Sequence, residues 1–147
     1  MKFALPTLVV PCLLLAACDG GTTTDGSEIT EELLAIAGSY TDAFGTANDI
    51  DEDSWTQQFA GYPAYTFSVS DWSNAEGWVV AQNGSDNGYF PLLWSRFDWV
   101  RTDDDRLFFC QTAYDAQTAE DAHAASRPSD ADPENSGCGG FSWTELL

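Results

Sequence analysis

The sequence predicts a mainly β protein, a small antiparallel meander barrel or sandwich with one short helix in its C-terminal half. From Gly38 onward, short runs in which apolar and polar side chains alternate are separated by turn residues at close intervals, a pattern typical of antiparallel sheets. The chain is 44% hydrophobic and 14% aromatic, as expected of a folded protein, and its 147 residues are enough for one core. We therefore expect a single β-rich domain over residues 29–147.

The N-terminal residues have the three regions of a secretory signal: an early lysine, an apolar run and small residues before a cysteine. The apolar run is too short to form a membrane-spanning helix. Its end, Leu15-Ala16-Ala17-Cys18, resembles the lipobox of bacterial lipoproteins. This resemblance implies a signal peptide over residues 1–17, cleavage before Cys18 and acylation of that cysteine, which would hold the protein on a lipid bilayer.

A lipoprotein lies in the bacterial cell envelope, and here we favour the outer membrane or the cell surface over the inner membrane. In enterobacterial lipoproteins an aspartate in the position of Asp19 marks retention at the inner membrane, so that location stays open. Residues 18–28 are dominated by Gly, Thr and Asp, a composition that predicts a flexible tether between anchor and domain.

Residues 29–37 fit two structures. Ile29, Leu33 and Ile36 fall at helical spacing, with Thr30 available as a cap, which predicts a short helix. A strand that starts near Ile36 would use the same residues, so both alternatives stay open.

The first half of the domain predicts four strands. The clearest is residues 62–70, where Tyr65, Phe67 and Val69 alternate with polar or small residues and so share one face of a half-buried strand. The predicted strands lie at residues 38–44, from Trp55 onward, at 62–70 and at 77–82, with turns at 71–76 and 83–88.

An acidic stretch, residues 48–53, separates the first two strands. Its four carboxylates are the ligand type that calcium prefers, but their spacing fits no calcium-loop pattern. We interpret this stretch as a solvated connection between strands.

Residues 94–114 predict a β-hairpin with a two-residue turn at Asp103 and Asp104. In that register Trp99 lies opposite Phe108. The predicted core face consists of Phe97, Trp99, Phe108 and Cys110.

The opposite face of this hairpin carries Trp94, Arg96, Asp98, Phe109 and Gln111, and we predict a ligand-binding site there that is formed by Trp94, Arg96, Asp98 and Gln111. Arg96 and Asp98 are neighbours on one strand, and Gln111 lies opposite Arg96 in the predicted register. Polar groups among aromatic side chains are typical of small-molecule sites if this face lines a barrel lumen. If it faces solvent, the same residues form an ordinary surface ion pair.

After the hairpin, residues 115–125 are alanine-rich and predict a short helix capped by Asp115. A polar loop at 127–137 then leads to a closing strand at 139–146.

Cys110 and Cys138 are the two cysteines left once Cys12 is removed with the leader and Cys18 is acylated. An exported domain lies in an oxidising compartment, so we predict that they form a structural disulfide.

Two further resemblances concern the domain. The stretches 94–99, 109–114 and 137–144 resemble a group of uncharacterised small exported bacterial proteins and lipoproteins, which brings no known activity. Residues 36–40, Ile-Ala-Gly-Ser-Tyr, are similar to the Gly-x-Trp first strand of lipocalin-like barrels, with Tyr40 in place of the tryptophan. That likeness implies a meander barrel with an internal cavity.

The net charge and the motif content of the sequence limit the classes of function that we expect. The formal net charge of −19 repels phosphate backbones, so we expect no nucleic-acid partner. The sequence contains no nucleophile-elbow or phosphate-loop motif, and its single histidine, His123, has no paired ligand, so we assign no catalytic residue, metal or cofactor. We predict a membrane-anchored domain that binds a small apolar ligand or an envelope protein. The alternative is a structural or surface-interaction lipoprotein with an acidic, calcium-responsive exterior.

Overall fold

The computed structural model describes residues 32–147, which form a mainly β structure. Eight antiparallel strands and one short helix make a nearly closed barrel, so the predicted fold class is confirmed. The predicted signal peptide, the lipobox with Cys18 and the predicted tether lie outside the described residues.

The barrel is a meander in which each strand pairs with the next one along the chain. The strands are β1 Gly38–Thr41, β2 Ala47–Ile50, β3 Ser54–Gln58, β4 Tyr65–Ser73, β5 Trp78–Asn83, β6 Trp94–Arg101, β7 Leu107–Ala116 and β8 Thr144–Leu146, and the helix α1 is Ala119–His123. The two end strands approach each other: Asp42 bridges Leu146, and the backbones of Thr41 and Leu147 exchange two hydrogen bonds of 3.2 and 3.0 Å. These contacts reduce the length of open sheet edge.

The barrel interior is the main hydrophobic core. Trp55 and Phe97 stack with ring centroids 4.4 Å apart, and Phe67 meets Phe97 edge-on at 4.9 Å. Aliphatic and aromatic side chains from five of the strands and from the segment before β1 fill the remaining volume: Leu34, Ile36, Ile50, Val79, Ala81, Trp99, Leu107, Phe109 and Leu146.

The outer face of the barrel is covered at two places. Helix α1 packs through Ala122 against Trp78 and Val80 of β5. The C-terminal segment packs through Trp143 against Phe108 and Cys110 of β7. Because both faces of β5, of β6 and of the first part of β7 are covered, nearly all residues there are buried, whereas β7 beyond Cys110 is half-buried or exposed. Within residues 32–147, no helix has the length and apolarity needed to cross a bilayer.

The predicted disulfide is present, since Cys110 and Cys138 are bonded with their Cα atoms 5.6 Å apart. It joins the outer face of β7 to the C-terminal segment. A second link lies further along the same pair of elements, where Arg106 donates two hydrogen bonds of 2.7 and 2.8 Å to the carboxylate of Glu145 in β8. These hydrogen bonds lower the pKa of Glu145, so the ion pair persists at pH values where an ordinary glutamate begins to protonate.

The predicted hairpin register is wrong by one residue. Trp99 lies opposite Phe109, not Phe108, because the β6–β7 loop has three residues instead of two. Thr102 and Arg106 close this loop by a backbone hydrogen bond of 2.9 Å, and Asp105 has a left-handed φ of 69°. Phe108 and Cys110 therefore belong to the outer face rather than to the predicted core face, and Phe109, predicted on the opposite face, lies in the interior core.

Three further boundaries differ from prediction. Strand β7 runs through Asp115, and Thr118 caps the helix by accepting from the Asp121 N–H, so the predicted start of the helix is wrong. Strand β4 continues to Ser73 through a register shift between Val69 and Asp71, within the predicted 71–76 turn.

The strands near the two ends of the described chain also differ from prediction in their length and bounds. Strand β1 ends at Thr41, strand β2 takes up part of the predicted 48–53 connection, and the closing strand β8 spans three residues. Residues 34–37 form a turn, so the predicted short helix is absent from the described part of that segment, and the strand predicted to start near Ile36 begins at Gly38.

Candidate functional site

A cavity of about 400 Å³ occupies one mouth of the barrel. Strands β3, β5 and β7 end at this mouth and β4 begins there, and these four strands supply its lining together with the β3–β4 and β5–β6 loops. Its lining consists of aromatic and amide side chains: Gln57, Phe59, Tyr65, Phe67, Asn83, Asn87, Tyr89, Phe90, Gln111 and Tyr114. Ligand sites are commonly of this size and combine apolar walls with a few polar groups.

Aromatic rings form the outer part of the cavity. Tyr65 and Tyr89 lie nearly parallel with centroids 6.5 Å apart, and Phe90 meets Tyr114 at 5.2 Å. The side chains of Tyr89 and Tyr114 are 73% and 50% exposed although they border an apolar cavity. A cluster of exposed aromatic residues around a concavity marks an interaction surface more often than a solvated one.

The loop between β5 and β6 is held at the mouth by two asparagines. Asn83 donates from Nδ2 to the carbonyl oxygens of Phe90 and Tyr114 at 2.8 and 2.9 Å. The Asn87 side chain accepts from the Thr66 N–H at 2.9 Å and donates to the Thr66 carbonyl at 2.8 Å, as a neighbouring strand would. These contacts preorganise the rim.

The backbone conformation of the β5–β6 loop also indicates that its contacts hold it in place. Phe90 and Leu92 adopt φ values of 49° and 63°, in the left-handed region that non-glycine residues rarely occupy. Such conformations persist only where the surrounding contacts enforce them, and they are concentrated at functional sites.

A chain of hydrogen bonds fixes the polar side of the cavity. The Ser95 hydroxyl donates to Oδ1 of Asn83 at 2.6 Å, and Gln111 donates from Nε2 to the Ser95 oxygen at 3.0 Å. Since the Asn83 amide nitrogen is engaged by two carbonyls, its oxygen must receive the single hydroxyl proton of Ser95. Gln111 can then only donate to Ser95, which fixes the orientation of its amide.

Gln57 is oriented by a similar constraint. The buried Asn48 accepts through Oδ1 from the indole N–H of Trp55 at 3.0 Å and from Nε2 of Gln57 at 3.2 Å. Because an indole N–H can only donate, the Asn48 oxygen position is determined, and Gln57 must present its amide nitrogen to it. Both glutamines thus turn their carbonyl oxygens away from the protein network.

The structure separates the four residues predicted to bind a ligand. Gln111 lines the cavity and lies opposite Phe97, not opposite Arg96. Trp94, Arg96 and Asp98 lie on the outer face of the barrel, where Trp94 packs beside the cluster beneath helix α1. The single cluster expected from the sequence is therefore absent from this structure.

Arg96 and Asp98 form a buried ion pair on that outer face. The Asp98 carboxylate, 0% exposed, accepts from Arg96 at 2.8 and 3.1 Å, from Arg127 at 3.3 Å and from the Thr112 hydroxyl. Arg96 also donates to the carbonyl of His123 at the end of α1. The pair faces neither water nor the cavity, and its contacts serve to attach the helix and the following loop to the barrel.

Within residues 32–147, no three His, Cys, Asp or Glu side chains are arranged to hold a metal ion. The calcium-responsive alternative thus gains no support from the geometry of this region.

Comparisons with known proteins reveal no relative of this chain. No protein-family model, curated protein or solved structure matches this chain. The chemistry of the cavity is therefore the basis for a functional proposal.

Sequence patterns did not single out most of the cavity residues. Gln57 shares a face of β3 with Trp55, and Asn48 shares a face of β2 with Ile50. A polar amide on a strand face that is otherwise apolar is a usable signal of a polar interior. Asn83 and Asn87 fell in a segment interpreted only as a turn.

Proposed function

We propose that this protein is a cell-envelope lipoprotein whose barrel binds a small organic ligand in its mouth cavity. The observation that carries this proposal is the cavity itself, with aromatic walls, oriented amides and a preorganised rim. A ligand that replaced water there would bury apolar surface and meet a few fixed polar groups.

The proposal places the protein in the bacterial envelope, on the outer membrane or the cell surface, attached through acylated Cys18. The disulfide between Cys110 and Cys138 supports an oxidising compartment, because such bonds are rare in reducing cytosol. An envelope protein is the alternative partner for the same aromatic surface.

The anchor is tested by replacing Cys18. We expect Cys18→Ser to move the protein from the membrane fraction to the soluble fraction, because the acyl chains supply the membrane affinity. Fractionation of cells with labelling by radioactive palmitate measures both location and acylation. Continued membrane association of Cys18→Ser without label would contradict the anchoring mechanism and leave the cavity proposal untouched.

The cavity is tested with N-phenyl-1-naphthylamine, a neutral fluorescent probe whose emission rises in apolar surroundings. We expect saturable binding to the full-length protein and about fivefold weaker binding to Tyr114→Ala, since one lost aromatic contact costs about 1 kcal/mol. Phe141→Ala is the matched control, because Phe141 is 78% exposed and does not line the cavity.

Equal affinity of Tyr114→Ala and Phe141→Ala would show that the probe binds elsewhere. Absence of any saturable binding would favour the structural or surface-interaction alternative.

A further inference from the structure

We infer that the mouth cavity selects an organic ammonium, a ligand with a protonated amine on an apolar body. This inference rests on the proposed function and names the chemical class of the ligand. Three independent features of the described residues carry it: the hydrogen-bonding groups left in the cavity, its aromatic walls and the charge of the surrounding protein.

The lining of the cavity holds amide oxygens that can accept hydrogen bonds from a ligand. Each of the two glutamines uses one of the two N–H groups of its amide within the protein, Gln111 toward Ser95 and Gln57 toward Asn48. Within residues 32–147, no protein group donates to Oε1 of either glutamine, and neither oxygen is sealed from solvent. Asn83 and Asn87 have both ends of their amides engaged. A ligand that carries hydrogen-bond donors can therefore satisfy the two glutamine oxygens, and the tyrosine hydroxyls of the lining can accept from it as well.

The aromatic walls of the cavity present negative electrostatic potential to a ligand. The faces of aromatic rings are the negative part of their quadrupole, and they attract ammonium groups within about 6 Å of a ring centroid. Six of the ten lining residues are Phe or Tyr, and the lining includes no Lys, Arg or His. An anion would thus meet negative ring faces and would find no cationic side chain in this lining to compensate its charge.

The electrostatic field of the whole protein is negative, like the potential at the aromatic ring faces. The sequence has a formal net charge of −19. All four arginines in residues 32–147 are paired with carboxylates, so that part of the chain presents no free guanidinium near the mouth. Such a field raises the local concentration of cations and steers them toward the surface.

A bare metal cation does not fit the same chemistry. Calcium requires six to eight oxygen ligands, commonly including carboxylates, whereas the cavity offers amide oxygens among apolar rings and no carboxylate. An ammonium on an apolar body suits this lining better, because its N–H groups can donate to the glutamine oxygens while its body replaces water on the rings.

Three probes with the same phenylethyl body separate charge from shape: 2-phenylethylammonium, neutral 2-phenylethanol and anionic 3-phenylpropanoate. Their affinities for the full-length protein are measured by displacement of N-phenyl-1-naphthylamine. At low salt we expect the ammonium to bind about tenfold more tightly than the alcohol, and the carboxylate to bind more weakly than both. Raising the salt concentration to about 0.5 M should weaken the ammonium but not the alcohol.

Alcohol binding that equals or exceeds ammonium binding would overturn this inference and leave the proposed function standing. The same holds if none of the three probes displaces N-phenyl-1-naphthylamine while that probe itself binds. If N-phenyl-1-naphthylamine does not bind either, the proposed function fails and the inference fails with it. A variant, Gln111→Met, should reduce ammonium affinity several-fold because it removes an acceptor oxygen and keeps the side-chain length.

Discussion

Replacing Asp98 by asparagine should destabilise the domain by about 3–5 kcal/mol, the cost of breaking a buried ion pair. Asp98 is fully buried and is the acceptor for Arg96, Arg127 and Thr112. Its neutralisation leaves the Arg96 guanidinium, itself only 8% exposed, without a compensating charge. The cost comes from that uncompensated charge rather than from any net benefit of the original pair.

The matched control is Asp105→Asn, which removes the acid of an ion pair between Asp105 and Arg101 on the surface. Both residues of that pair are exposed, so its loss should change stability by no more than about 1 kcal/mol. Urea unfolding of the two variants gives the comparison. Similar midpoints for Asp98→Asn and Asp105→Asn would refute the structural importance assigned to the outer-face pair.

Removal of the disulfide is expected to have the second largest effect. Cys110 and Cys138 are separated by 28 positions in the chain, and closing a loop of that size restricts the unfolded chain by about 3 to 4 kcal/mol. The double variant Cys110→Ala with Cys138→Ala should therefore unfold at a markedly lower urea concentration. Both cysteines are packed beside Trp143, so the C-terminal segment should loosen first.

Treatment of the wild-type protein with dithiothreitol distinguishes the covalent link from side-chain packing. Reduction should lower the unfolding midpoint nearly as far as the double substitution does, because the reduced thiols keep most of the packing. An unfolding midpoint that is insensitive to dithiothreitol would contradict a stabilising disulfide.

Much of the architecture follows from local sequence features. Alternation in β4, as in Tyr65, Phe67 and Val69, predicts which side chains share a face, and all three pack in or against the interior core. Turn residues separate the strands, and a meander of adjacent strands is the simplest way to pair them. The disulfide was predictable because only two cysteines remain in the domain.

The hairpin register was not predictable from those features. A two-residue and a three-residue loop both fit the Thr-Asp-Asp-Asp-Arg sequence, since no glycine or asparagine marks the left-handed position that Asp105 occupies. Because side chains alternate, one residue of slip exchanges the two faces of β7. Gln111 thereby moves to the interior, while Arg96 and Asp98 stay outside.

The composition of the cavity depends on contacts between distant segments. Asn83 meets the carbonyl of Tyr114, which is 31 positions away, and Asn87 pairs with Thr66 across 21 positions. Local patterns do not encode such contacts, so the predicted site contained one cavity residue out of four. The end of β7 is a second case in which a distant contact decides the structure. Ala116 pairs with Trp94 there, and this pairing overrides the helical preference of the alanine-rich run.

The most direct test of ligand binding at the barrel mouth is the location of a bound probe. Nuclear Overhauser effects between N-phenyl-1-naphthylamine and side-chain protons of the full-length protein report contacts within about 5 Å. We predict contacts to Phe90, Tyr114 and Gln111 of the cavity. Contacts confined to exposed aromatics elsewhere, such as Phe44 and Phe141, would contradict the central claim that the mouth of this barrel is a ligand-binding site.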